Sequence, residues 1–299
     1  MNILVLGSRG QVGWELTRSL LPLGQVTALG REEVDFGDAD ALRHAVRTFE
    51  PDLIVNAAAY TAVDKAETDE AAAFAVNATA AGILAEEAKS RKALLVHYST
   101  DYVFDGAAAR PYSETDPTNP QSVYGRSKLA GEKAIVAVGG DHLILRTSWV
   151  YGVRGHNFMH TVLRLAHERE TLRIVADQVG APTWSRWIAD ATAQIARQAI
   201  QAQVENVFDS GLYHLACAGE TSWHGFASAI IEEYRDTPSA GRLTARNVEP
   251  ITTAEYPLAA KRPANSRLDC SKLSADYGIA APEWRQALKL CMQDMAAGN

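Results

Sequence analysis

Tyr124 and Lys128 stand four residues apart in Tyr124-Gly125-Arg126-Ser127-Lys128, within a segment, Val123 to Val138, where Leu129, Ala130, Ala134 and Ile135 have helical spacing. Residues four apart on a helix share a face, so a phenol and an ammonium can enter the same cleft. A free phenol titrates near pH ~10, too high for easy proton exchange at neutral pH. A neighbouring ammonium favours the phenolate and lowers that value. A phenol tuned in this way can hand a proton to a carbonyl oxygen while hydride arrives at the carbon. Tyr-x-x-x-Lys also arises by chance on exposed helices, so the reading depends on what surrounds it.

The elements that would position this pair alternate along the chain. Residues 2–6 form an apolar strand, followed directly by Gly7-Ser8-Arg9-Gly10-Gln11-Val12-Gly13 and by helical spacing from Gln11 to Leu21. Strand, glycine loop and helix in that order form the setting in which glycines let a pyrophosphate approach the backbone at a helix N-terminus. A second strand, Gln25 to Leu29, ends at Gly30-Arg31, where an NAD-selective fold would carry an acid for the ribose hydroxyls. Arg9 and Arg31 would instead suit a ribose 2′-phosphate, which points to NADPH ahead of NADH; Glu32 and Glu33 leave a solvated Arg31 as the alternative. Asp35 and Phe36 follow, in a position to lie against an adenine. Asp38 caps a helix that runs to about Phe49 and stops at Pro51.

Leu53-Ile54-Val55 is the third strand, ending in Asn56-Ala57-Ala58-Ala59-Tyr60-Thr61, small residues against which a cofactor can lie. A long alanine-rich helix is expected from about Glu67 to Arg91, then a strand from Ala93 to Tyr98 that ends at Ser99-Thr100-Asp101, the next candidate for chemistry. A fifth strand, His142 to Arg146, leads to Thr147-Ser148-Trp149. Repeated strand and helix predict an α/β fold, a Rossmann-like doubly wound parallel sheet. Further on, Leu172 to Val175 and Leu212 to Leu215 read as strands and Trp184 to Ala199 as a helix. The last eighty residues, with Pro238, Pro250, Pro257, Pro263 and Pro282, read as a smaller lobe of short elements. The expected division is a dinucleotide-binding domain over 1–150, completed by parts of 166–215, and a smaller substrate lobe formed by 216–299 with 151–165.

Composition narrows the function. The 299 residues, 47% hydrophobic and 22% charged, can bury a substantial core. A net charge of −7 disfavours nucleic acid and anionic membrane surfaces, which select basic faces. Three scattered cysteines, Cys217, Cys270 and Cys291, read as reduced thiols. There is no apolar stretch of membrane-spanning length and no basic and apolar leader ahead of the first strand, so a cytoplasmic protein is expected.

Taken together, Gly7-x-x-Gly10-x-x-Gly13, Asn56-Ala57-Ala58-Ala59, Ser99-Thr100-Asp101 and Tyr124-x-x-x-Lys128 resemble an extended short-chain dehydrogenase/reductase. Five further stretches narrow the resemblance to the dTDP-4-dehydrorhamnose reductase family. They are Ala62-Val63-Asp64-Lys65-Ala66-Glu67, Tyr98 to Phe104, Arg146 to Tyr151, Asp177-Gln178-x-Gly180-x-Pro182-Thr183 and Arg262-Pro263-x-x-Ser266-x-Leu268. The resemblance implies reduction of the C4 keto group of a dTDP-4-keto-6-deoxyhexose by NADPH or NADH. It makes Tyr124 the proton donor, Lys128 the holder of the nicotinamide ribose that lowers the tyrosine, and Thr100 the hydroxyl on the reacting carbonyl. Gly10, Gln11 and Val12 would touch the pyrophosphate, Asp35 and Phe36 the adenosine, and Ala59, Tyr60 and Thr61 the middle of the cofactor, beside Ala57 and Ala58. Thr100, Asp101, Tyr102 and Trp149 would contact the deoxysugar, and Arg262 the diphosphate.

Some relatives dimerise through acidic residues bound to Mg²⁺. A homodimer and a metal at Glu15 are therefore implied, although Arg186 stands in a region often acidic elsewhere. Sugar-nucleotide dehydratases carry Asp-Glu after the threonine, whereas Asp101-Tyr102 follows here, which favours reduction over elimination. Two alternatives stay open. One is a reductase or epimerase of another nucleotide sugar, the other a non-catalytic dinucleotide-binding regulatory subunit.

Overall fold

The computed structural model describes residues 1–237 and 243–297; Pro238 lies outside them. Six strands make one parallel sheet: β1 (Asn2–Leu6), β2 (Gln25–Leu29), β3 (Leu53–Asn56), β4 (Leu94–Thr100), β5 (His142–Thr147) and β6 (Gly211–His214). Their spatial order is β2-β1-β3-β4-β5-β6. β3, β4 and β5 are buried at every residue, as expected for parallel strands covered on both faces. The order reverses between β1 and β3, and a crevice at the carboxyl ends of those strands is where such sheets receive ligands.

Helices cover both faces. Leu16 and Leu20 pack with Ile188, Ile195 and Ala199, joining the helices Gln11–Ser19 and Ser185–Val204 to one face. Leu42, Val46, Leu84, Ala88 and Ile135 cover the other from Ala39–Phe49, Ala80–Arg91 and Val123–Val138. Asp38 caps the Ala39–Phe49 helix as expected: its Oδ1 accepts from the N–H groups of Asp40 and Ala41, a cap worth about 1 kcal/mol. A third cluster, with Tyr151, Met159, Trp184, Phe226, Ile230 and Leu288, lies among the helices Phe158–Glu168, Trp223–Arg235 and Trp284–Ala297.

The doubly wound sheet agrees with the sequence reading; several element boundaries do not. The first helix ends at Ser19, and Leu21–Leu23 is a 3-10 turn around Pro22. The alanine-rich helix does not begin at Glu67. That side chain accepts from Val123 N at 2.8 Å, and Thr68 and Asp69 turn the chain before Glu70–Phe74 starts. It then passes through a π turn, Ala75–Thr79, before the Ala80–Arg91 segment. The helix expected to end at Ala199 continues to Val204. The last eighty residues hold helices of 13 and 14 residues, so they are not made only of short elements.

The late chain returns across the early chain. Asn247–Ile251 pairs in parallel with Thr171–Val175, and single bridges join Tyr112 to Leu268 and Val179 to Asn265. Gly106, at φ +78°, lies so close to Pro263 that an added Cβ would stand 2.6 Å from the proline's Cβ. The loop after β4 and the Arg262-Pro263 stretch are thereby held together.

Candidate active site

The loop after β1 is built for close backbone approach. Gly7 has φ +80°, and a Cβ on it would stand 2.6 Å from Ala58 N, so the loops after β1 and β3 touch at their backbones. A Cβ on Gly13 would stand 2.1 Å from Gly7 O. No side chain caps the Gln11–Ser19 helix at Gly10, which leaves its first N–H groups for an anion at the positive end of the helix dipole. Gly7, Gly10, Gln11, Val12, Gly13, Ala57 and Ala58 thus gather at the switch point and fit a dinucleotide pyrophosphate. The Gln11 amide oxygen accepts from Asn157 Nδ2 at 3.0 Å, tying this loop to the start of the Phe158–Glu168 helix. Gly13→Ala is expected to weaken NADPH binding by more than about tenfold and to destabilise the fold by roughly 1–3 kcal/mol, because the helix must move off the loop. A fluorescence titration beside a thermal melt checks this, and an unchanged affinity would contradict the cradle.

At the adenosine end, Arg9 pairs with Glu32 and, at 3.1 Å, with Glu33, while Arg31 is exposed. Asp35 turns its Oδ1 to Gly37 N at 2.8 Å. Phe36 packs into the core with Leu29 and Val34, so most of its ring is committed to the fold. Farther along, the π turn brings Asn77 beneath the loop after β3. Its Oδ1 accepts from Tyr60 N at 2.8 Å, and its Nδ2 donates to Tyr60 O and to Ser127 Oγ. Tyr60 hydroxyl donates to Asp69 Oδ2 at 3.0 Å, and Thr61 is exposed. Gly131 permits the contact from the other side, since a Cβ there would stand 2.1 Å from Asn77 O. One buried amide therefore fixes the loop beside Ala59 and the Tyr124 helix together.

Ser122 caps that helix by accepting from Gly125 N at 3.1 Å, which orients its first turn. A Cβ on Gly125 would stand 2.2 Å from Tyr102 O, so Tyr124 is carried close to the end of β4. The Tyr124 and Tyr102 rings meet edge to face at 5.5 Å. Thr100 Oγ1 donates to Asp101 Oδ1 at 3.0 Å and accepts from Tyr102 N at 3.2 Å. Burial lifts the Asp101 carboxyl to about 6, against the hydroxyls of Ser266 and Thr100 that hold it down.

Here the electrostatics depart from the sequence reading. Burial pushes the Tyr124 phenol up to about 12; the Thr100 hydroxyl lowers it and the Asp101 carboxylate raises it further. Lys128 is not among the groups that move it, and its Nζ lies 3.2 Å from His97 Nε2. Burial in turn pulls Lys128 down to about 8, with Glu132 acting in the opposite direction.

Beyond Tyr102 opens a cavity of about 670 Å³, lined on one side by Tyr102 and Arg262 and on the other by Arg169, Arg173, Gln178 and Trp223. Lys261 adds a fourth cation to its wall. Apolar walls with several cations suit a nucleoside diphosphate. Arg262 is mostly buried and bonds Asp64 Oδ2 at 2.6 Å, so one of its Nη groups is already engaged by a carboxylate. Trp149, at φ +47°, stacks on Trp223 at 3.5 Å and meets the cavity through that partner.

Nothing supports Mg²⁺ at Glu15. Burial raises its carboxyl, and the nearest opposing charge is Arg186, which bonds Asp294 Oδ2 at 2.6 Å. Among the described residues no group of three or more His, Cys, Asp or Glu could hold a metal ion, and no helix is long and apolar enough to cross a membrane.

Sequence reasoning missed His97, Arg169, Arg173 and Trp223, and the partner of Arg262. A histidine inside the apolar run Leu94 to Tyr98 was a readable signal for the first. The others stand on elements far apart in the chain and carry no local pattern.

Comparison with known proteins is consistent with this geometry. The family model described as the RmlD substrate binding domain matches residues 1–297. A Burkholderia thailandensis protein named dTDP-4-dehydrorhamnose reductase is 54% identical over 295 residues, covering 99% of each chain. Two solved structures bearing the same name are similar throughout. The one from Clostridium acetobutylicum has a TM-score of 0.87 and 35% identity, covering 99% of each chain. The one from Bacillus anthracis, in complex with NADP, also has 0.87, with 31% identity over 98% of each chain.

Proposed function

The chain belongs to the RmlD substrate-binding-domain family, and from that membership we infer an NAD(P)H-dependent oxidoreductase. It reduces the C4 keto group of dTDP-4-dehydro-6-deoxy-L-mannose and so gives dTDP-L-rhamnose. The reduced nicotinamide supplies the hydride when bound. The roles of individual residues are our proposal, as follows. Tyr124 Oη gives its proton to the C4 oxygen, and a phenol lifted to about 12 is fully protonated for that step at neutral pH. Thr100 Oγ1 steadies the same oxygen. Lys128 holds the nicotinamide ribose. Gly7 to Gly13 and Ala57 to Thr61 bind the rest of the dinucleotide, Asp101, Tyr102 and Trp149 border the sugar, and Arg262 faces the diphosphate. What carries this reading is that Tyr102 touches the Tyr124 ring at 5.5 Å and also lines the cationic cavity. A single substrate can therefore span proton donor and diphosphate site.

We also take residues 1–150, with parts of 166–215, as the cofactor-binding domain, and 216–299 with 151–165 as the substrate lobe. NADPH is the preferred coenzyme in this reading: Gly30 rather than an acid follows β2, the Arg9 stem crosses it and Arg31 is exposed beside it, while the Glu33 carboxylate is engaged by Gly30 N at 2.7 Å and by Arg9. The test is coenzyme oxidation with the 4-keto sugar nucleotide, run with NADPH, with NADH and with a panel of other 4-keto sugar nucleotides. Preferred turnover of the dTDP-deoxyhexulose, with a higher kcat/KM for NADPH that falls in Arg31→Ala, is the expected result. A preference for another sugar nucleotide would overturn the substrate assignment, and an NADH preference would overturn the coenzyme one.

A further inference from the structure

A chain of hydrogen bonds runs from the loop after β3 to the lysine beside Tyr124. Ala58 N–H donates to Asn56 Oδ1 at 3.2 Å, Asn56 Nδ2 lies 3.0 Å from His97 Nδ1, and His97 Nε2 lies 3.2 Å from Lys128 Nζ. The backbone N–H of Ala58 can only donate, so it fixes which end of the Asn56 amide is oxygen. The Nδ2 end must then donate to His97, which makes Nδ1 an acceptor. In a neutral imidazole the remaining proton is on Nε2, and it points at the lysine. An ammonium has no lone pair to accept it; an amine does.

The surroundings agree. His97 is buried, and burial foremost holds its imidazole neutral, well below the usual range. The ionisable groups that act on Lys128 are His97 of β4, which faces its Nζ, and Glu132, one turn along its own helix and paired with Arg146 of β5. Glu132 cannot serve as a free counterion. Its Oε1 accepts from Ser99 Oγ at 2.5 Å and from Arg146 Nε at 2.8 Å, and its Oε2 from Arg146 Nη2 at 2.6 Å.

We propose that His97 is a positioning residue that, above neutral pH, favours the uncharged Lys128 amine in the cofactor-free enzyme, so that dinucleotide binding there brings a proton from solvent onto Lys128 Nζ. Only that N–H bond forms; His97 keeps its own proton and loses its acceptor as the lysine turns to the ribose. The proposal rests on the reading of Lys128 as the residue that holds the ribose. Above neutral pH it makes the lysine ammonium a product of cofactor binding, with the Asn56 anchor at the end of β3, directly before the loop proposed to lie against the cofactor.

The direct test is calorimetric titration of the full chain with NADPH near pH 8, in buffers of different ionisation enthalpy. With Lys128 at about 8 before binding and higher after it, about half a proton per site is taken up. Uptake should grow towards pH 9 and vanish below pH 7, where the amine is already charged. It should be lost in Lys128→Met, and in His97→Gln, whose amide can turn its oxygen to an ammonium. No uptake by the wild type, or the same uptake in His97→Gln, would overturn the proposal. NMR of the 15N-histidine-labelled wild type gives a second test that needs no variant: the Nε2–H tautomer of His97 is expected without cofactor, and Nδ1–H would overturn it. If Lys128→Met instead binds NADPH as tightly as the wild type, the ribose role of the lysine itself is what fails.

Discussion

Tyr124→Phe is expected to lower kcat by about 10²–10⁴-fold while NADPH binding stays nearly unchanged. The substitution removes one hydroxyl and leaves the ring, so the edge contact with Tyr102 and the capped first turn of the helix persist. What disappears is the group that, in the proposed mechanism, protonates the C4 oxygen. Without it, negative charge developing on that oxygen has only the Thr100 hydroxyl beside it. Stopped-flow measurement of hydride transfer, with a separate NADPH titration, distinguishes the two effects. A phenylalanine variant within about tenfold of wild type would remove Tyr124 from the chemistry. Loss of coenzyme binding in parallel would mean that the ring, rather than the proton, was being tested.

The second large effect concerns support for the site. Arg146→Met is expected to cost about 3–5 kcal/mol, because it strands the Glu132 carboxylate in the interior. Both members of the pair are about one-twentieth exposed, and the guanidinium also lies over the Phe104 ring at 5.0 Å. The thermal midpoint should fall by on the order of 10 °C. Replacing both partners, Arg146→Met with Glu132→Leu, should recover much of that loss, since a buried pair contributes less than either half costs alone. Equal melting of the single and double variants would show that the arginine is held by packing rather than by its charge. The pair joins β5 to the Tyr124 helix one turn beyond Lys128, so the single variant should also blur the geometry of the site.

Much of this was legible because local chemistry and global fold agree. Continuous apolar runs such as Leu53-Ile54-Val55 give buried parallel strands, and Asp38 ahead of an amphipathic segment gives a capped helix. The glycine loop was legible too, since a positive φ at Gly7 and the close approach at Gly13 leave no room for other residues. The tyrosine–lysine pair was legible as a pair but not as a geometry. Helical spacing puts both on one face, yet the lysine's partner is decided by His97, which reaches it across the sheet and not along the helix. The break at Thr68-Asp69 was hidden for a similar reason. A run of alanines promises helix, and only a distant backbone N–H, that of Val123, explains why Glu67 leaves it. The cavity's cations were least visible, because Arg169, Arg173 and Arg262 meet only in three dimensions.

The return of the late chain across the early chain has a consequence for synthesis. The residues of the glycine cradle lie between positions 7 and 59, and β1 to β3 that carry them are complete by Asn56. Part of the cavity's lining, Thr253 and residues 256–262, comes late in the chain, and the bridge that pins the loop after β4 is made at Leu268. A growing chain therefore emerges with its dinucleotide cradle first and its sugar-nucleotide wall nearly last. Until Leu268 has left the ribosome, the loop after β4 lacks that bridge. Shortening the chain by even its last tenth would remove Leu288 and Met292 from the cluster they share with Leu172 and Phe226, a core that the helix Trp284–Ala297 completes long after the cradle strands have been made.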